Sequence, residues 1–294
     1  ISFRRATFTI YGNHVTGGWS TERLDEVGGS EEMVVKVAEG WARQGHEVTV
    51  HQTGFVPTDA MLRDCRGVRY RSRSTSPATG QDLLILFKTL DHLGIPAGRT
   101  VLWTTDLPID GASAVFLPPA QADRLDAVLC ISEYHRTELL KACPWLRPEK
   151  VAAHWLGVDE EELDDARADV GTNQVDGRVI YASSYDRGLG FLLEEWPKVR
   201  EAVPDAELRV TYGFDFWKRS EAVIQAPIAD AMRQERARLE KLLTQPGVTF
   251  LGRLPRKAFL KEMATAEVWA YPCTGGELCC KTALEAQFLG LYPV

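Results

Sequence analysis

The sequence predicts an α/β protein built from two doubly wound, parallel-sheet domains. Three observations carry this. Short apolar runs alternate with helix-forming stretches along almost the whole chain, the pattern of parallel strands joined by crossover helices. The alternation is interrupted once, between Gly157 and Gly177, by an acidic stretch poor in aromatic residues that contains Glu160-Glu161-Glu162 and Asp164-Asp165. Finally, 294 residues with 45% hydrophobic content are enough to bury two cores. The expected division is a domain over 1–157, a linker over 158–177 and a domain over 178–294.

The first half opens with a buried strand at 6–11, followed by a Gly-rich stretch that ends at Gly28-Gly29. Residues 30–44 read as a helix, capped by Ser30 and stopped by Gly45. Strands are expected at 47–51, 83–87, 100–103, 127–131 and 151–155. Ser132 should cap a helix over 133–142. In the second half, strands are expected at 178–182, 207–212, 248–251 and 268–271. Helices are expected at 189–203, 230–243 and 257–265. Pro197 falls inside the first of these and predicts a kink or a restart. Pro246-Gly247 should stop the second.

Composition excludes several classes. A net charge of −7 argues against non-specific nucleic-acid binding. No apolar run approaches the ~20 residues that span a bilayer, and Ile1-Ser2-Phe3-Arg4-Arg5 shows no signal-peptide core. Six cysteines without framework spacing predict reduced thiols in a cytoplasmic protein. Cys273, Cys279 and Cys280 do not read as a zinc site, because adjacent cysteines chelate poorly and no histidine pair completes four ligands. No Asp-x-Asp pair is present to hold a divalent ion on a diphosphate, so no metal or other cofactor is expected.

The most informative segment is Tyr271-Pro-Cys-Thr-Gly-Gly-Glu-Leu-Cys-Cys-Lys-Thr-Ala-Leu-Glu285. An apolar run ends at Pro272, a Gly-rich turn follows, and a helix-forming stretch carries the second acid. That is the layout of a phosphate-binding strand–turn–helix unit, in which the amides near Cys279 to Lys281 face an anion. At ~1.5 Å rise per residue, Glu277 and Glu285 would lie ~12 Å apart along a helix axis, about the length of a nucleotide diphosphate between its two sugars.

With the closing Gly290-Leu-Tyr-Pro-Val294, this segment resembles the E-x7-E signature of retaining glycosyltransferases of the GT-B architecture, glycosyltransferase family 4 in particular. Gly28-Gly-Ser-Glu-Glu32, the Ser132-Glu-Tyr134 that follows a strand, and Trp155-Leu-Gly-Val-Asp159 are similar to further family segments. The resemblance covers nearly the whole chain and implies GT-B, two Rossmann-like doubly wound parallel-sheet domains facing a cleft. Family members continue past the position of Val294, so the C-terminal domain is expected to be incomplete.

The resemblance also implies roles. A sugar would move from a nucleotide-diphosphate donor to an acceptor hydroxyl, with retention and without metal, on the front face of the sugar. Glu277 would lie near the transferred sugar and Glu285 near the ribose. Arg187-Gly188 falls where the family has Lys-Gly, so Arg187 would grip the diphosphate. The family's other basic position is occupied by Ser183 or Ser184, which leaves Lys281 and the helix start to supply charge. Gly275 and Gly276 would let the backbone approach the ligand closely. Arg253 and Leu254 would meet the nucleobase. Gly28 and Gly29 would close on the donor phosphates from the first domain. Asp106, in Trp103-Thr-Thr-Asp106 where relatives have Trp-x-His-Asp, would orient the acceptor, with a turn-capping role as the plain alternative.

The expected partners are a nucleotide sugar and a saccharide, lipid-linked or small-molecule acceptor. Arg66, Arg69, Arg71 and Arg73 form a basic cluster: a solvated strand face, or a peripheral contact with anionic lipid at the cytoplasmic membrane face. His14 and His154 read as structural. The competing function is a non-catalytic GT-B-like protein that binds nucleotide sugar or a partner. A dinucleotide oxidoreductase is disfavoured, because Gly12-Asn-His-Val-Thr-Gly-Gly18 does not match G-x-G-x-x-G.

Overall fold

The computed structural model describes residues 4–10, 28–52, 64–72, 80–107, 117–221 and 224–294. The stretch 11–27, His14 and Arg73 therefore lie outside the described residues. The chain divides into two compact units, 1–156 and 157–294.

In the first unit the described elements are β1 (Arg5–Ile10), α1 (Gly29–Arg43), β2 (Glu47–Gln52), β3 (Asp64–Cys65), β4 (Val68–Ser72), β5 (Gln81–Phe87), β6 (Ala97–Trp103), α2 (Pro119–Ala122), β7 (Ala127–Cys130), α3 (Glu133–Ala142) and β8 (Val151–Ala153). The strands form one sheet in the order β3-β4-β2-β1-β5-β6-β7-β8. Only the β3–β4 pair is antiparallel. Side chains are buried on both faces. Phe8, Ile85 and Trp103 pack with Val34, Val35 and Ala38 of α1, while Leu84, Leu86 and Leu102 pack on the other face with Ala122 and Leu139. This two-sided burial explains why β5 is a continuous Leu-Leu-Ile-Leu-Phe run rather than an alternating one.

The second unit contains α4 (Glu160–Val170), β9 (Arg178–Tyr181), α5 (Leu189–Ala202), β10 (Glu207–Thr211), α6 (Asp215–Glu221), α7 (Ala226–Leu242), β11 (Val248–Gly252), α8 (Arg256–Ala264), β12 (Val268–Trp269), α9 (Lys281–Phe288) and β13 (Tyr292–Pro293). Its sheet, in the order β11-β10-β9-β12-β13, is parallel throughout. Helices α4, α8 and α9 cover one face, and α5, α6 and α7 the other.

Three expectations are corrected. The acidic stretch expected as a linker forms α4. Asp159 caps it by accepting from the Glu162 amide at 3.3 Å, the three glutamates occupy the first turn where the helix dipole favours them, and Leu163, Ala166 and Val170 enter the second unit's core. Helix α1 starts at Gly29, with Gly28 in the cap position, instead of at Ser30. Helix α5 runs unbroken through Pro197. The proline lacks the N–H that would meet the Leu193 carbonyl, and Gln245 Nε2 supplies that hydrogen bond at 2.8 Å. Nearby, Trp196 Nε1 donates to the Pro246 carbonyl at 3.2 Å and Arg200 Nη1 to the Ala206 carbonyl at 2.8 Å.

Candidate functional site

The second sheet reverses its strand order between β9 and β12. At such a point the connections leave to opposite faces, and a crevice opens at the carboxyl ends of the strands. The connection after β9 carries Arg187, and the one after β12 carries Glu277. The two meet at Gly188, which has φ +93 and where a Cβ would lie 2.2 Å from the Pro272 carbonyl oxygen. Only glycine allows this approach. Across the contact, Arg187 Nη1 lies 4.0 Å from Glu277 Oε2.

Glu277 is anchored through both oxygens. The Tyr271 hydroxyl donates to Oε2 at 2.6 Å and the Cys279 N–H to Oε1 at 3.3 Å. Burial, together with the bond to Glu277, pushes the Tyr271 phenol above its ordinary range, which keeps it a donor. The Glu277 side chain is still 33% exposed, so the carboxylate is both oriented and reachable. Gly275 and Gly276 beside it are exposed, and a Cβ on Gly275 would meet nothing closer than Cys273 Sγ at 3.8 Å.

The helix start differs from expectation. Cys280 is extended and α9 begins at Lys281. The Cys279 amide is already used by Glu277, so the amides at the start of α9 belong to Lys281, Thr282 and Ala283. Only half of the spacing between the two glutamates is helical, and the ~12 Å helix-axis separation does not apply. Burial raises the Cys280 thiol to about 11, so it stays neutral.

Glu285 is 1% exposed. Arg256 Nη2 donates to its Oε1 at 2.7 Å, and Lys281 Nζ lies 3.2 Å from the same oxygen. Arg256 Nε also donates to Glu162 Oε2 at 3.1 Å. Two cations compensate a carboxylate that would be costly to bury alone. Ser183 is half-buried at the end of β9 and brings no charge. Arg253 and Leu254 follow β11, with the Arg253 guanidinium 5.7 Å from the Tyr212 ring centroid.

In the first unit, a Cβ on Gly29 would meet nothing within 4 Å, and one on Gly28 would meet Glu31 Oε2 at 3.0 Å. Asp106 follows β6 and pairs with Lys88 Nζ at 2.7 Å. Its carbonyl accepts from Thr104 Oγ1 at 2.8 Å and its N–H donates to the same hydroxyl at 3.2 Å. His135 Nε2 lies 3.2 Å from the Asp106 carbonyl, and Nδ1 accepts from the Ile131 N–H at 3.3 Å, so Nε2 carries the proton. Burial holds His135 below its ordinary pKa. Of the basic cluster, Arg66 pairs with Glu39, Arg69 with Glu47 and Arg71 with Asp64.

Sequence reasoning missed Tyr271, Lys88, His135 and Arg256 as partners of the proposed site residues. The Lys281–Glu285 pair is readable as i,i+4. Arg256 lies 29 positions from Glu285, and only the fold brings them together. Among the described residues, no group of three or more His, Cys, Asp or Glu side chains is arranged to hold a metal ion, and no helix is long and apolar enough to cross a membrane.

No protein-family model and no curated protein matches the chain. Solved structures do. Anabaena HepE in complex with UDP and glucose is 14% identical, with a TM-score of 0.62 over 99% of this chain and 80% of that chain. Sucrose-phosphate synthase from Thermosynechococcus elongatus is 13% identical, with a TM-score of 0.67 over 99% and 80%. The catalytic domain of starch synthase IV from Arabidopsis thaliana, bound to ADP and acarbose, is 11% identical, with a TM-score of 0.62 over 100% and 82%. The fold is that of the GT-B glycosyltransferases.

Proposed function

We propose that the chain is a retaining, metal-independent glycosyltransferase that moves a hexose-type sugar from a nucleotide-diphosphate donor to an acceptor hydroxyl. The observation that carries this reading is the junction of Arg187 and Glu277 at the reversal point of the second sheet, beside the start of α9. As the donor bond breaks, negative charge builds on the leaving diphosphate. Arg187, Lys281 and the amides that open α9 supply positive charge at that place. Glu277, fixed by Tyr271 and reachable, takes the hydroxyls of the transferred sugar. Retention comes from a front-face path in which a diphosphate oxygen removes the acceptor proton. The absence of an Asp-x-Asp pair supports a path without metal.

The ligands in the similar structures, UDP with glucose and ADP with acarbose, make UDP- and ADP-linked sugars the first donors to try. Asp106 is assigned to the acceptor, which we take to be a saccharide, lipid-linked or small-molecule hydroxyl. Binding is tested by the rise in Tm with UDP, ADP and their glucose conjugates, since a ligand held only by the folded state stabilises it. Catalysis is tested by hydrolysis or transfer of the donor, compared with Glu277→Ala. Nucleotide binding without any turnover would favour the non-catalytic reading. Turnover unchanged by Glu277→Ala would remove Glu277 from the mechanism.

A further inference from the structure

We infer that Arg256 is a positioning residue that aims Glu285 at the donor ribose, an inference that rests on the nucleotide-sugar reading above. Glu285 is almost wholly buried, and both of its cationic partners, Arg256 and Lys281, contact the same oxygen, Oε1. Among the described residues none hydrogen-bonds Oε2. The carboxylate thus presents one saturated oxygen and one left to accept, as a reader of sugar hydroxyls requires.

Its orientation cannot come from Lys281 alone, because an ammonium on a four-carbon stem is a movable point charge. The Arg256 guanidinium is planar and fixed at two points: Nη2 to Glu285 at 2.7 Å and Nε to Glu162 at 3.1 Å. Glu162 lies on α4, which packs against α8. The side chain of Arg256 is 17% exposed, so water competes little for its donors. Removing the fork leaves Glu285 paired with Lys281 only, and free to rotate about its χ angles. The unpaired oxygen then no longer has a set direction.

The test is the affinity of UDP and ADP, with the 2′-deoxy and 3′-deoxy forms of whichever binds more tightly, and with its monophosphate. The whole chain is used with Arg256→Met and Arg256→Lys, by calorimetry. A hydrogen bond to a charged acceptor predicts that the unaltered protein weakens about tenfold or more for at least one deoxy form. In Arg256→Met that ratio falls to within about twofold of one, while the diphosphate-to-monophosphate ratio, set by Arg187 and the start of α9, stays within about twofold of its original value. Arg256→Lys keeps the charge without the fork and falls between.

A merely structural role would depress both ratios together, and that result overturns the inference. So does a deoxy ratio that Arg256→Met leaves intact, or one near unity in the unaltered protein. If Arg256→Met lacks a cooperative unfolding transition, Arg256→Lys and Glu162→Gln are read instead, and a deoxy ratio unchanged in both overturns the inference. Failure of the unaltered protein to bind either UDP or ADP overturns the proposed function itself, and this inference with it.

Discussion

Replacing Gly188 by alanine tests the central contact of the second unit. The added Cβ would lie 2.2 Å from the Pro272 carbonyl oxygen, 2.6 Å from its carbon and 3.2 Å from the Cys273 nitrogen. All three are backbone atoms, so no side chain can swing aside. An ordinary contact begins about 1 Å further out, and the two connections must separate by roughly that distance. Overpacking of this kind costs about 1–3 kcal/mol. A further ~1–2 kcal/mol comes from holding a non-glycine residue in the left-handed region. Together these predict a loss of about 2–5 kcal/mol in unfolding free energy, read from the denaturant midpoint at unchanged m-value. A displacement near 1 Å between Arg187 and Glu277 also predicts a fall in turnover of about a hundredfold. Gly275→Ala is the control. Its Cβ meets nothing closer than 3.8 Å, so stability changes by less than about 0.5 kcal/mol. A Gly188→Ala protein as stable as the original, to within that margin, would refute the account of how the two connections meet.

Three other outcomes are expected. Glu277→Gln keeps size and the Tyr271 contact but loses charge, and should lower turnover at least about tenfold with little change in nucleotide affinity, measured by initial rates and calorimetry. His135 is held neutral by burial; a depressed folded-state pKa means full stability above pH 6.5, lost as pH falls through the lower folded value, so the drop in Tm below pH 6.5 should shrink in His135→Gln. Burial raises the Glu39 carboxyl, and Arg66 at 3.5 Å, largely in solvent, compensates only in part. The raised value means stability present below pH 4.5 and lost as pH rises through the folded value. Glu39→Gln should therefore raise Tm at pH 7 and give no gain at pH 4.

The sheets were legible chiefly through strands such as β5, whose run over 83–87 is buried on both faces and continuously apolar. The cap at Ser132 was legible from residue type alone, and its hydroxyl accepts from the His135 amide at 2.9 Å. The placement of Glu277 and Arg187 in connections at the ends of strands was legible from their segments. What stayed hidden depends on partners far along the chain. Helix α4 reads as a linker when its acids are counted, and as a helix once Leu163, Ala166 and Val170 are seen to share one face. By contrast, the arginines at 69 and 71 were legible as one face of a strand, and its alternate residues, Val68 and Tyr70, are buried. The continuity of α5 past Pro197 rests on Gln245, a residue that no local rule connects to it.

That last contact bears on where this protein can be re-engineered. The Gln245-Pro246-Gly247 turn has the composition of a tolerant splice point for a tag or a foreign loop. In space it is riveted to a neighbouring helix by an amide and an indole, and a Cβ at Gly247 would fall 2.4 Å from Arg200 Nη1. Lengthening it would reopen the gap that the proline leaves in that helix, so the damage from an insertion at 246 would surface some fifty residues upstream.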